Sequence, residues 1–189
     1  MRTMRSGRCG RMAPVLFAFF LVANVKVKAD GSGKMTIVHP AAPITTLEIE
    51  RQRYVSRGSE ATGLTIRNGL VMARVRFRDV NQLSEAPELA ATKLEMHPGD
   101  DGLTRFHGVV RSTIVGDVTS EQDAVIHLTL PGTVVNTNAE RVDGRSMTWT
   151  KPVKQFFSSE GIEIEASFKA PQRTTSVAAD AASTASPSL

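Results

Sequence analysis

The sequence predicts an α+β fold: a mostly antiparallel β-sheet with one or two short helices packed on one face. Three observations lead there. From Met35 onward, apolar and polar residues alternate in short runs separated by turn signals, the period of half-buried strands. Two of those runs flank Asn68-Gly69, a pair that supplies the positive φ values of a type I′ hairpin turn. Residues 79–91 alone make a substantial helical segment, and Pro87 interrupts it.

Taken in order, the chain opens with a segment that reads as a secretory signal peptide over residues 1–29. Arg2, Arg5, Arg8 and Arg11 precede the apolar run at residues 12–25, and Val27-Lys28-Ala29 offers small residues for cleavage before Asp30. The run falls short of the roughly 18–20 residues of a bilayer span, which makes a retained N-terminal anchor the alternative. Either way the expected location is exported, periplasmic or extracellular. Residues 30–43 are expected to be a flexible N-terminal segment. Their Gly31-Ser32-Gly33-Lys34-Met35 lacks the Ser or Thr and the first glycine of a phosphate loop.

A single domain is expected over residues 44–169. Residues 44–54 are predicted to form a strand, with Leu47 and Ile49 on one face and Glu48 and Glu50 on the other. In the hairpin around Asn68-Gly69, a two-residue loop sets Ile66 opposite Val71 and Leu64 opposite Ala73, so turn chemistry and hydrophobic register agree. The helix at 79–91 should place Val80, Leu83 and Ala86 inward and break near Ala86, because proline lacks a donor and clashes with the preceding turn. Further strands are expected at 92–96, 104–115, 124–130, 133–138, 145–150 and 162–168, with a short helix at 152–158. Residues 170–189, rich in Ala, Ser and Thr, bury too little to offset chain entropy and are expected to be a disordered tail.

Composition excludes several classes. With the leader removed, 17 basic residues face 19 acidic ones, so no global basic excess remains for nucleic acid. Cys9 leaves with the leader, so stability must come from burial without disulfides. It also precedes the apolar run, where a lipobox cysteine would follow it. Mature aromatics are sparse, which disfavours carbohydrate or single-strand stacking surfaces.

Residues 129–150 read Thr-Leu-Pro-Gly-Thr-Val-Val-Asn, followed by an Asp-Gly turn and a strand closing on tryptophan. Through Leu130, Pro131, Gly132, Asn138, Asp143, Gly144 and Trp149 this stretch resembles the LppM-type exported (lipo)protein domains of bacterial envelopes. Residues 75–85 are similar to that family's strand running into a helix, through Phe77, Asp79 and Leu83. The resemblance implies an α+β envelope domain able to bind lipids or glycolipids. It carries over no catalytic residue and no cofactor, and the chain lacks the family's lipobox cysteine.

Candidate ligand-binding residues fall into two groups. Arg74, Arg76 and Arg78 alternate along one strand, about 6.6–7 Å apart, and point away from the core. Such spacing suits phosphate or carboxylate groups, including headgroups at a membrane surface. The alternative is a cross-strand ion ladder with Glu48 and Glu50, or with Glu163 and Glu165. Phe77, Trp149, Phe156 and Phe157 form the second group, able to line an apolar cavity between sheet and helix or simply to pack the core. Adjacent Phe156 and Phe157 cannot share a helical face, so one of them is expected to be exposed. The four histidines show no metal-ligand spacing, and no catalytic motif is found.

The expected function is therefore noncatalytic binding of a lipid or other amphipathic ligand in the envelope. The alternative is a structural or assembly module that binds protein partners through a sheet edge.

Overall fold

The computed structural model describes residues 21–113 and 121–171. Among them eleven strands form two sheets. In chain order these are β1 (Leu21–Val27), β2 (Gly33–Pro40), β3 (Ser59–Arg67), β4 (Leu70–Phe77), β5 (Lys93–Pro98), β6 (Thr104–Val110), β7 (Asp123–Thr129), β8 (Thr133–Thr137), β9 (Arg141–Asp143), β10 (Ser146–Pro152) and β11 (Ile162–Lys169). Helix α1 (Leu47–Arg53) lies between β2 and β3, and helix α2 (Val153–Phe156) follows β10. The larger sheet runs β3-β4-β2-β1-β7-β10-β9 and the smaller β5-β6-β11-β8. Every pairing is antiparallel except β1 with β7. The α+β class and the antiparallel character hold, with two sheets enclosing the core.

The N-terminal boundary needs correcting. Residues 21–27, expected in a removable leader, form the strand between β2 and β7, with Ala23 opposite Ile37 on one side and Ile126 on the other. Leu21, Ala23, Val25 and Val27 are buried while Asn24 and Lys26 are exposed. An alternating strand directly after an apolar stretch lengthens the apparent hydrophobic run, which is why the two merge in the sequence. Cleavage before Asp30 would remove β1 from the middle of its sheet. Residues 1–20, with the arginines and most of the apolar run, lie outside the described residues.

The segment 30–43 is likewise ordered, not flexible. Asp30 Oδ1 accepts from Ser32 N at 3.0 Å and Ser32 Oγ at 2.7 Å, bonds that hold its carboxyl below the usual carboxylate range. Gly31 takes φ +81°, and β2 begins at Gly33. A leader ending at Ala29 would also have removed Lys26 and Lys28. Residues 21–189 balance 19 basic against 19 acidic side chains, so charge here matters by its placement.

Residues 44–54 are not a strand. Thr46 caps α1 by accepting from Ile49 N at 3.2 Å, and Glu, Arg and Gln, good helix formers, follow. The burial inverts the expectation: Glu50 is fully buried, while Leu47 and Ile49 are each 52% exposed.

The hairpin forms as its turn chemistry requires. Ile66 faces Val71, Leu64 faces Ala73, and Asn68 and Gly69 take φ +53° and +71°. Residues 79–91 become two 3₁₀ helices, Val80–Glu85 and Pro87–Leu89, broken at Ala86, with Val80, Leu83 and Ala86 buried. β9, absent from the sequence-based expectation, is a three-residue edge strand before the Asp143-Gly144 turn. The expected tail beyond residue 171 lies outside the described residues.

One side chain ties the two sheets together. Asn138 Oδ1 accepts from Trp149 Nε1 at 2.7 Å and from Glu165 N at 2.9 Å, and its amide donates to Glu163 O at 3.2 Å. Trp149 belongs to the larger sheet and is fully buried, so its indole N–H has no access to solvent. Within the smaller sheet Gly132, just before β8, allows β11 to approach: a Cβ there would lie 1.9 Å from Lys169 O.

Two outcomes follow from these contacts. A chain beginning at Asp30 is expected to lose cooperative unfolding and dispersed amide resonances, whereas one beginning at Leu21 keeps both. Asn138→Ala, which strands the Trp149 N–H, should lower the unfolding free energy by about 1–3 kcal/mol in urea denaturation.

Candidate functional site

Alternation on facing strands makes both inner faces apolar, and between them lies a cavity of about 310 Å³. Ala23, Val25, Met35, Ile37 and Ile126 line it from the larger sheet, and Leu94, Phe106 and Ile164 from the smaller. Phe156 and Phe157 of the α2 segment also line it, both half-buried and edge to face at 5.1 Å. Neither ring is fully exposed, because the segment ends after one turn and both rings lean on the gap between the sheets. Phe77 and Trp149 do not line the cavity; both are buried in core packing. Of the four candidate aromatics, the structure brings Phe156 and Phe157 to one site. That site lies between two sheets, where a sheet and a helix were expected to enclose it.

Polar groups gather where the end of β2, helix α1 and the 3₁₀ segment meet the cavity. Arg53 Nη1 bonds Glu50 Oε1 at 3.0 Å, and its Nη2 bonds Glu88. Thr45 Oγ1 donates to the same Glu50 oxygen at 2.6 Å. His39 Nδ1 lies 2.8 Å from Pro40 O, which only accepts, so Nδ1 carries the proton. Its Nε2 then accepts from the Tyr54 hydroxyl at 2.7 Å when the ring is neutral. Glu50 Oε2 is buried without a hydrogen-bond partner among the described residues and stands 3.8 Å from His39 Nε2. Burial, then the nearby carboxylates Glu88 and Glu50, push the Tyr54 hydroxyl well above its ordinary value.

Arg111, also in the cavity lining, donates to Ala91 O at 3.1 Å and to Ser159 O at 2.7 Å, stapling two loops. No sequence motif marks this cluster. The available signal was a glutamate and an arginine three apart, Glu50 and Arg53, which share a helical face only once residues 47–53 are helix.

The arginine strand lies elsewhere, on the outer face of the larger sheet. Arg74, Arg76 and Arg78 are exposed, as expected. Arg76 pairs with Glu60 at 3.3 Å. The expected partners do not meet them: Glu48 and Glu50 sit in α1, and Glu163 and Glu165 belong to the other sheet. There, His107 Nδ1 lies 3.4 Å from Glu165, with Glu163 close by, a grouping set by strand register and invisible in linear spacing. All three are exposed. His127 lies 2.9 Å from Thr148 Oγ1 on the outer face. Among the described residues, no helix is long and apolar enough to cross a membrane.

Comparison with known proteins places the fold. The family model described as the LppM domain matches residues 24–167. The folded domain of LppM from Mycobacterium tuberculosis, solved by NMR, superposes with a TM-score of 0.53 at 15% identity, over 84% of this chain and 93% of that one. No curated protein matches.

The cluster at the opening has a pH signature. Burial holds the Glu88 carboxyl above the ordinary glutamate value of 4.5, outweighing Arg53 and His39, which pull it down. A raised carboxyl stabilises the fold most below its unfolded value, and that contribution is lost as pH rises through the folded value. Urea denaturation of Glu88→Gln beside the parent, followed upward from pH 4.5, should therefore show the difference moving in the variant's favour.

Proposed function

The chain belongs to the LppM domain family, and on that premise we propose that it is an exported, noncatalytic envelope protein that holds a lipid or other amphipathic ligand between its two sheets. The observation that carries this reading is the inter-sheet cavity. A packed β-sandwich core closes to crystal-like density, with few voids larger than a water molecule. Here a space of about 310 Å³ lies between apolar walls, with hydrogen-bonded polar groups such as His39, Arg53 and Arg111 in its lining. That arrangement matches an amphiphile, with hydrocarbon against Ile37, Ile126 and Phe106 and a polar end among His39, Arg53 and Arg111.

The volume lies near the lower end of the range of about 300–1,000 Å³ for small-molecule sites. It suits one alkyl chain, with the polar remainder left at the opening. The polar side chains there are engaged with one another or with backbone carbonyls, which suits positioning a headgroup better than attacking it. An assembly module acting through a sheet edge has no use for such a cavity, so a stoichiometric ligand would count against that alternative.

Ala23 sits on β1 in the cavity wall, and Ala23→Phe fills the space from within. Organic extraction and mass spectrometry of the purified protein should find a stoichiometric amphiphile in the parent and none in the variant. Titration with hexadecanoate should weaken at least about tenfold in Ala23→Phe, the factor equivalent to about 1.4 kcal/mol. Equal uptake by both proteins, or none by the parent, would remove the cavity as the binding site.

A further inference from the structure

The register of the larger sheet brings together on its outer face cations that lie far apart in sequence. Lys26 of β1 faces Lys34 of β2, and Lys34 faces Arg76 of β4, so three cations stand in one cross-strand row. In the next row Arg74 faces Thr36, which faces Asn24. Arg76 has Glu60 as its partner, with the two side chains 70% and 60% exposed, a pair that contributes little in water. Among the described residues Lys26, Lys34 and Arg74 have no carboxylate within ion-pair distance.

Like charges directly opposite on neighbouring strands destabilise a sheet. The two rows border an open depression of about 430 Å³ that Lys26, Lys34, Thr36, Arg74, His127 and Thr129 help to line. The Thr36 hydroxyl lies in the same lining and can donate to a phosphate oxygen alongside the charge.

From this juxtaposition we propose that the outer face of the seven-stranded sheet docks on an anionic lipid bilayer. Charge complementarity selects that partner. The cations are spread across β1, β2 and β4 on an open sheet face, matching a plane of headgroups better than a single small anion. The large apolar side chains of β1 and β4 mostly point into the core, so the contact is electrostatic and adds about fivefold in partitioning per cation near the surface. The proposal does not depend on the cavity, which opens on the other side of the sheet.

Sedimentation with vesicles tests it. The protein should pellet with mixed phosphatidylglycerol and phosphatidylcholine vesicles at low salt, and stay in solution with phosphatidylcholine alone or at high salt. Lys34→Glu places a carboxylate between Lys26 and Arg76. It should lower vesicle binding at least about tenfold while raising the melting temperature by roughly 1–3 °C. If that variant folds poorly, Lys34→Gln must still weaken binding. Ala23→Phe should sediment like the parent, which separates this face from the cavity. Failure of the parent to bind phosphatidylglycerol vesicles, binding that survives high salt, or undiminished binding by the Lys34 variants would each overturn the proposal.

Discussion

The pairing of β1 between β2 and β7 is the interaction on which the rest of the structure depends. Its seven residues join an antiparallel ladder on one side to a parallel one on the other. A parallel pair cannot be closed by a tight turn, so the chain between β1 and β7 must cross over, and here it builds β2 to β6 on the way. Without β1 the sheet would divide into β3-β4-β2 and β7-β10-β9, each with a raw edge toward the other. The same strand also contributes Ala23 and Val25 to the cavity and Lys26 to the outer cationic row.

The two sheets are held by different means at different places. At one side Trp149 reaches across to Asn138 and pins one layer to the other. Away from that pin the facing residues, Ala23 among larger aliphatics, leave a gap unfilled, and the cavity remains. Its polar border is self-contained. Arg53 is shared by two carboxylates, Tyr54 supports His39, and Arg111 is spent on two carbonyls. Such a border holds its shape without drawing on the apolar walls.

The outer face of the same sheet follows a different rule. Its side chains alternate away from the core, so packing does not dictate their identity, and cross-strand neighbours are set by register alone. Stability would favour opposite charges in the row that holds Lys26, Lys34 and Arg76. The anionic bilayer proposed above would supply the missing charge there.

Local chemistry was legible wherever a residue's neighbours in sequence are also its neighbours in space. The Asn68-Gly69 hairpin, the Pro87 break and the strands from β5 onward other than β9 follow from turn residues and period. So did the family, because Gly132, Asn138 and Trp149 lie in one short stretch, where Asn138 and Trp149 pin the sheets together. What required the tertiary structure were the segments whose pattern is ambiguous and the sites assembled across strands. An apolar run at the N-terminus looks the same whether a peptidase or a sheet receives it, and only pairing with β2 and β7 distinguishes them. Residues 47–53 alternate like a strand yet form a helix, because buried Glu50 finds its partner in Arg53 one turn on, with His39 near from another element. The cavity and the row of cations draw on strands distant in sequence. Register and layer packing alone bring those residues together, and neither can be computed from one strand at a time.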